Sequence, residues 1–190
     1  MVHGAPGGPS PFCQVLHEER NQTVDVEPER RRRIPALAKA GYLGTIVFGG
    51  LHAAASLYWG FGGDAFLETI GRGAVEWKES ASYLVPLVLI PIGLAKAAAV
   101  AVPILNSQGR LPARRLLRIA SWLGAGALLL YGGTYATLAW LSLAGRFGDV
   151  QDVQGIQGHA YIWDPLFALW GACLLVALAF DPRPRGQHGR

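Results

Sequence analysis

His52 and Asp164 are two residues of this chain that could move a proton or hold a polar ligand within otherwise apolar sequence. An imidazole titrates near neutrality, and a carboxylate beside it can orient or charge the ring. His52 lies on a helical stripe with Gly41, Thr45, Gly49, Ser56 and Trp59, spacings of three and four that share one face. The stripe is small and polar, so it belongs against other helices: hydrocarbon cannot satisfy an imidazole, and small residues let backbones approach. Two readings of His52 follow, a buried ring making one structural hydrogen bond or a ligand-binding or catalytic group. Asp164 stands in Trp163-Asp164-Pro165, where Asp then Pro suits the N-cap and first turn of a helix. It reads as a cap, as a partner for His52 at similar depth, or as both.

Tyr58, Tyr83, Tyr131, Thr134 and Tyr135 cluster toward the same end, with Gly132 and Gly133 leaving space. Tyrosines are common at membrane interfaces, but Tyr131 and Tyr135 share a helix face and could line a site for an apolar molecule with a polar head. Lys96 is a charge deep within an apolar run, at an insertion cost of about 2.5 to 3.5 kcal/mol. It reads as a side chain snorkelling toward the Asn106 end, or as a step on an ion or proton path. No second His or Cys gives metal-ligand spacing beside His52, so no metal is expected, and no phosphate loop, dinucleotide fingerprint or hydrolase elbow implies a cofactor. Without a catalytic set, the sequence favours a protein that is not an enzyme.

The elements that must position these residues are four apolar runs, 40–59, 81–105, 116–143 and 160–180. Each approaches or exceeds the roughly 20 residues that a helix needs to cross a bilayer. Hydrophobic residues make up 51% of the 190 and charged ones 16%, and the charges gather between the runs. Five Lys or Arg precede the first run (Arg30 to Arg33 and Lys39), four separate the second from the third, and three follow the fourth. The other two loops together hold only Arg72, Lys78 and Arg146. That asymmetry predicts both termini in the cytoplasm. The formal charge of +4 is thus a topological signal, and no nucleic-acid partner is expected.

Residues 1–33 read as a flexible cytoplasmic tail and 183–190 as a short basic one, flanking a four-helix transmembrane domain over 34–182. Cys13 and Cys173 fall in different compartments and read as free thiols. Between the first two runs, Asp64 to Lys78 predicts a short interfacial helix with Phe66, Leu67, Ile70 and Trp77 toward lipid. The short connection from Asn106 to Arg115 predicts that helices two and three are antiparallel neighbours.

Leu51-His52, Tyr58-Trp59-Gly60-Phe61-Gly62-Gly63, Leu130-Tyr131-Gly132-Gly133 and Trp163-Asp164-Pro165-Leu166-Phe167 with Gly171 together resemble a family of small bacterial four-helix membrane proteins, domain of unknown function three-nine-nine-five. The resemblance covers about residues 40 to 180 and leaves the N-terminal tail outside. It implies the same topology and marks His52, Trp59, Gly63, Trp163 and Asp164. It implies no activity, cofactor or substrate.

The expected fold is an all-α, antiparallel four-helix bundle integral to the cytoplasmic membrane. The leading functional expectation is a non-enzymatic auxiliary component whose partners are the lipid bilayer and another membrane protein or a second copy. The small faces Gly41, Thr45, Gly49 and Gly124, Leu128, Gly132 motivate it. Two alternatives stand beside it: binding or modification of a lipid-like molecule around His52, Trp59, Tyr135, Trp163 and Asp164, and small-ion or proton transport using Lys96.

Overall fold

A computed structural model describes residues 35–181; the expected tails, with Cys13 and the flanking arginines they contain, lie outside the described residues. Four helices are long and apolar enough to cross a membrane: α1 (Ala36–Gly60), α3 (Leu84–Ser107), α4 (Arg114–Leu143) and α5 (Val153–Phe180). A fifth, α2 (Arg72–Ser80), is short, and a 3₁₀ turn, Leu67–Ile70, precedes it. The described chain is all helical. The 25 residues of α1 rise about 37 Å at 1.5 Å per residue, enough to cross the hydrocarbon. Leu43, Leu87, Leu123 and Leu130 lie exposed on the helices, an apolar exterior compatible with a membrane.

The helices pack in the order α3, α1, α5, α4, so that the first and last spans form the centre. Close approach there depends on glycine: a Cβ on Gly41 of α1 would lie 2.6 Å from the Ala177 nitrogen of α5, and one on Gly171 of α5 would lie 2.6 Å from the Ala125 carbonyl of α4. Adjacent helices run antiparallel. Where α1 begins and α5 ends, the Tyr42 hydroxyl donates to Asp181 at 2.7 Å, and Arg118 of α4 donates to the Leu178 and Asp181 carbonyls at 2.7 and 3.0 Å. The guanidinium thereby closes the exposed carbonyl end of α5.

Helices α3 and α4 were expected to be neighbours; they are joined by a short connection but meet only sparingly. Each gives its small face to a central helix: Gly93 of α3 to Leu57 of α1, and Gly132 of α4 to Ala168 of α5. A seam therefore runs between α3 and α4.

The segment between α1 and α3 folds over the end opposite Arg118 as a lid. It is broken by Gly71, whose φ of 123° interrupts the single interfacial helix expected over Asp64 to Lys78. That break turns Leu67 inward onto Trp59 and Trp163, with Ile70 packed beside it, instead of toward lipid; Phe66 stays exposed. Lys78 holds the first turn of the lid, donating to the Gly62 and Gly63 carbonyls at 3.0 and 2.8 Å and pairing with Asp64.

Helix α5 starts at Val153, seven residues before the apolar run suggests. Asp152 is its cap, accepting from the Gly155 amide at 3.0 Å, while its other oxygen accepts from the Arg72 amide at 2.7 Å. Asp164, expected as a cap, is instead inside the helix and caps nothing. Pro165 follows it with no N–H and a ring that crowds the carbonyl one turn back. The helix accommodates this by widening to π geometry over His159–Trp163.

Candidate functional site

His52 is 4% exposed on the inner face of α1, as its stripe predicts. Its partner is Lys96 of α3: the ammonium donates to His52 Nδ1 at 3.1 Å and to Ser56 Oγ at 2.8 Å, and Ser56 donates in turn to the His52 carbonyl at 3.2 Å. Lys96 does not snorkel toward Asn106. Side chains lean toward the N-terminus of their helix, which for α3 is the lid end, and that direction brings the ammonium to α1. With Nδ1 accepting, the ring's proton sits on Nε2. That Nε2 is buried and has no acceptor among the described residues, as is true of Trp170 Nε1 in a side chain 1% exposed. No carboxylate among the described residues forms an ion pair with Lys96.

Phe167 of α5 is the hub of this region. Its ring lies 3.7 Å from the His52 ring, 5.6 Å from Tyr131 and 6.3 Å from Trp170, centroid to centroid, and the Lys96 ammonium sits 5.4 Å from its centre. A cation at that distance is attracted by the ring's negative face. Because Phe167 meets Lys96 of α3 on one side and Tyr131 of α4 on the other, it forms the floor of the seam between those helices.

Asp164 does not pair with His52. It is 2% exposed, and its Oδ2 accepts from His159 Nδ1 at 3.1 Å, while His159 Nε2 donates to the Ile70 carbonyl of the lid at 3.2 Å. Both ring nitrogens thus face oxygens, and the imidazole links the Asp164 carboxyl to the lid backbone. The π turn makes the pair possible. Five residues apart on an α-helix, the two side chains would diverge by about 140°, and the wider turn returns them to one face.

Among the residues singled out from the sequence, His52 and Trp163 come together, with ring centroids 5.8 Å apart, and Trp59 stacks edge-on against Trp163 at 5.0 Å. Tyr135 joins only through Tyr131, 4.6 Å away, and so through Phe167. The two indoles also fasten the lid, Trp59 donating to the Ala65 carbonyl and Trp163 to Thr69 Oγ1, each at 2.9 Å. Sequence reasoning did not single out His159, whose only signal is Pro165 within an apolar run.

The helices and this cluster define a class: an all-α protein with four membrane-length helices and a donor-rich polar cluster at mid-helix, lidded at one end. More specifically, a family model described as "Protein of unknown function (DUF3995)" matches residues 49–174, about two thirds of the chain, and the protein belongs to that family. The matched region contains Lys96, His52, Ser56, Phe167, His159 and Asp164. No curated protein and no solved structure matches the chain.

Proposed function

We propose that this is a multi-pass protein of the cytoplasmic membrane, with both termini cytoplasmic, that binds a lipid-like molecule in the seam between α3 and α4 above Phe167. The observation that carries this reading is a pair of buried donors without acceptors among the described residues, His52 Nε2 and Trp170 Nε1, beside a Lys96 ammonium that no carboxylate among those residues pairs. Buried donors cost about 1 to 3 kcal/mol each when unsatisfied, so a cluster of them favours a polar guest. Half-exposed Tyr131 and Tyr135 supply an aromatic wall for an apolar chain. The small faces that favour docking of another membrane protein, Gly41, Gly49 and Gly132, are largely spent on contacts inside the chain, which supports a ligand site over an auxiliary role.

The test is photocrosslinking with diazirine-bearing lipid analogues in membranes containing the full chain, followed by peptide mapping. Adducts should concentrate on the Tyr131 to Tyr135 segment and on Phe167. Equal labelling of Leu43 and Leu123, which face outward, would show general lipid contact and refute the reading. Reporter fusions at either terminus that read out on the far side of the membrane would overturn the topology.

A further inference from the structure

The bookkeeping of hydrogen bonds and charge around Phe167 narrows the ligand's head group. Lys96 carries three N–H bonds, of which His52 Nδ1 and Ser56 Oγ take two. Lys96 and the His52 and Trp170 rings all border Phe167, and neither His52 Nε2 nor Trp170 Nε1 has an acceptor among the described residues. Nothing among the described residues balances the ammonium with a carboxylate. A hydroxyl or amine head would add donors where donors are already in surplus. A neutral carbonyl would accept but leave the cation without a counter-charge.

We propose, resting on the seam reading above, that the site takes a single-chain amphiphile with a carboxylate head, the carboxylate pairing with Lys96 and the chain lying along Tyr131 and Tyr135. Depth selects the carboxylate over a phosphate of equal sign. Lys96 is the thirteenth residue of the 24 in α3, close to the middle of the span. A carboxylic acid can reach that depth in its neutral form and then pair with the ammonium, its proton leaving to the aqueous phase, whereas a phosphate retains charge at any pH near neutrality. Phe167 covers the ammonium from the α5 side, leaving the seam as the direction of approach.

Binding of radiolabelled oleate to the full chain in phosphatidylcholine nanodiscs tests this, with methyl oleate and oleyl phosphate as competitors. Oleate should bind saturably, methyl oleate and oleyl phosphate should each compete about tenfold or more less well, and Lys96→Met should weaken oleate by a similar factor. Lys96→Arg, which keeps the charge, should retain most of the affinity and guards against a variant that fails to fold. Equal competition by methyl oleate, or oleate binding that ignores Lys96→Met, overturns the carboxylate assignment while leaving the seam occupied. Stronger competition by oleyl phosphate overturns it in favour of a phosphate head. If neither oleate nor methyl oleate binds, the seam reading falls together with it.

Discussion

Replacing His159 by leucine should loosen the lid and destabilise the whole protein, by an amount the structure allows to be worked out. The substitution removes the bond to the Ile70 carbonyl, worth about 0.5 to 1.5 kcal/mol. It also strips Asp164, 2% exposed, of its only side-chain hydrogen-bond partner among the described residues. Breaking a fully buried pair costs about 3 to 5 kcal/mol, but the His159 side chain is 37% exposed, so water screens part of this and about 2 kcal/mol is the better figure. The sum, about 3 kcal/mol, lowers the Tm by about 6 to 12 °C in a chain of this size. The informative control is the double variant His159→Leu/Asp164→Leu. With the buried carboxylate gone, only the Ile70 carbonyl is left unsatisfied, and the loss should shrink to about 1 kcal/mol. Thermal unfolding in detergent of parent, both single variants and the double variant gives the coupling directly. A double variant whose loss equals the sum of the single losses would refute the claim that the π turn places these two side chains together as a pair.

Gly171→Ala should cost about 1 to 3 kcal/mol, because the new Cβ meets the backbone of α4, which cannot rotate away; Gly133→Ala, with nothing nearby, should be neutral or slightly stabilising by the same thermal assay. Trp163→Phe keeps the ring against His52 and Trp59 but loses the bond to Thr69, so about 1 kcal/mol is expected, against about 3 to 5 for Trp163→Ala. The Arg72 and Gly155 amides hold the Asp152 carboxyl below its ordinary value of 3.8. A folded value below the unfolded one means that its contribution is complete above that pH and is lost as pH falls through the folded value. Hydrogen exchange should therefore show the Arg72 and Gly155 amides losing protection only as pH falls below the ordinary carboxyl value of 3.8. In Asp152→Asn that step should be absent.

The four long helices were legible because hydrocarbon thickness and the backbone's need for internal hydrogen bonds leave an apolar run of that length no other form. The inward face of α1 was legible for the same reason, since His52, Ser56 and Thr45 could not face lipid. What could not be read was phase and register. Lys96 and His52 stand 44 residues apart, and no periodicity specifies which turn of α3 faces which turn of α1. From sequence, Asp164 reads as a cap or as a partner for His52 at similar depth; the apolar run begins at residue 160, which leaves His159 outside the helix, and the π turn ahead of Pro165 is what brings His159 and Asp164 to one face. The lid was misread where Gly71 divides it, since a composition that fits an interfacial helix also fits a folded cover over two tryptophans.

The packing order α3, α1, α5, α4 bears on how such a chain is made. In a membrane, the first span to emerge from the ribosome finds its second large contact surface only when the last span arrives. Until then α1 has only its hairpin with α3, and α4 forms a second hairpin with α5 as the last span arrives. The polar groups are distributed to suit that interval: Lys96, His52 and Ser56 satisfy one another within the first hairpin, and Asp164 finds His159 within α5. Each hairpin can enter lipid with most of its polar side chains already partnered. The hydrogen bonds that cross between hairpins, among them Tyr42 with Asp181 at one end and Ile70 with His159 at the other, lie at the two ends of the bundle, where they can close last.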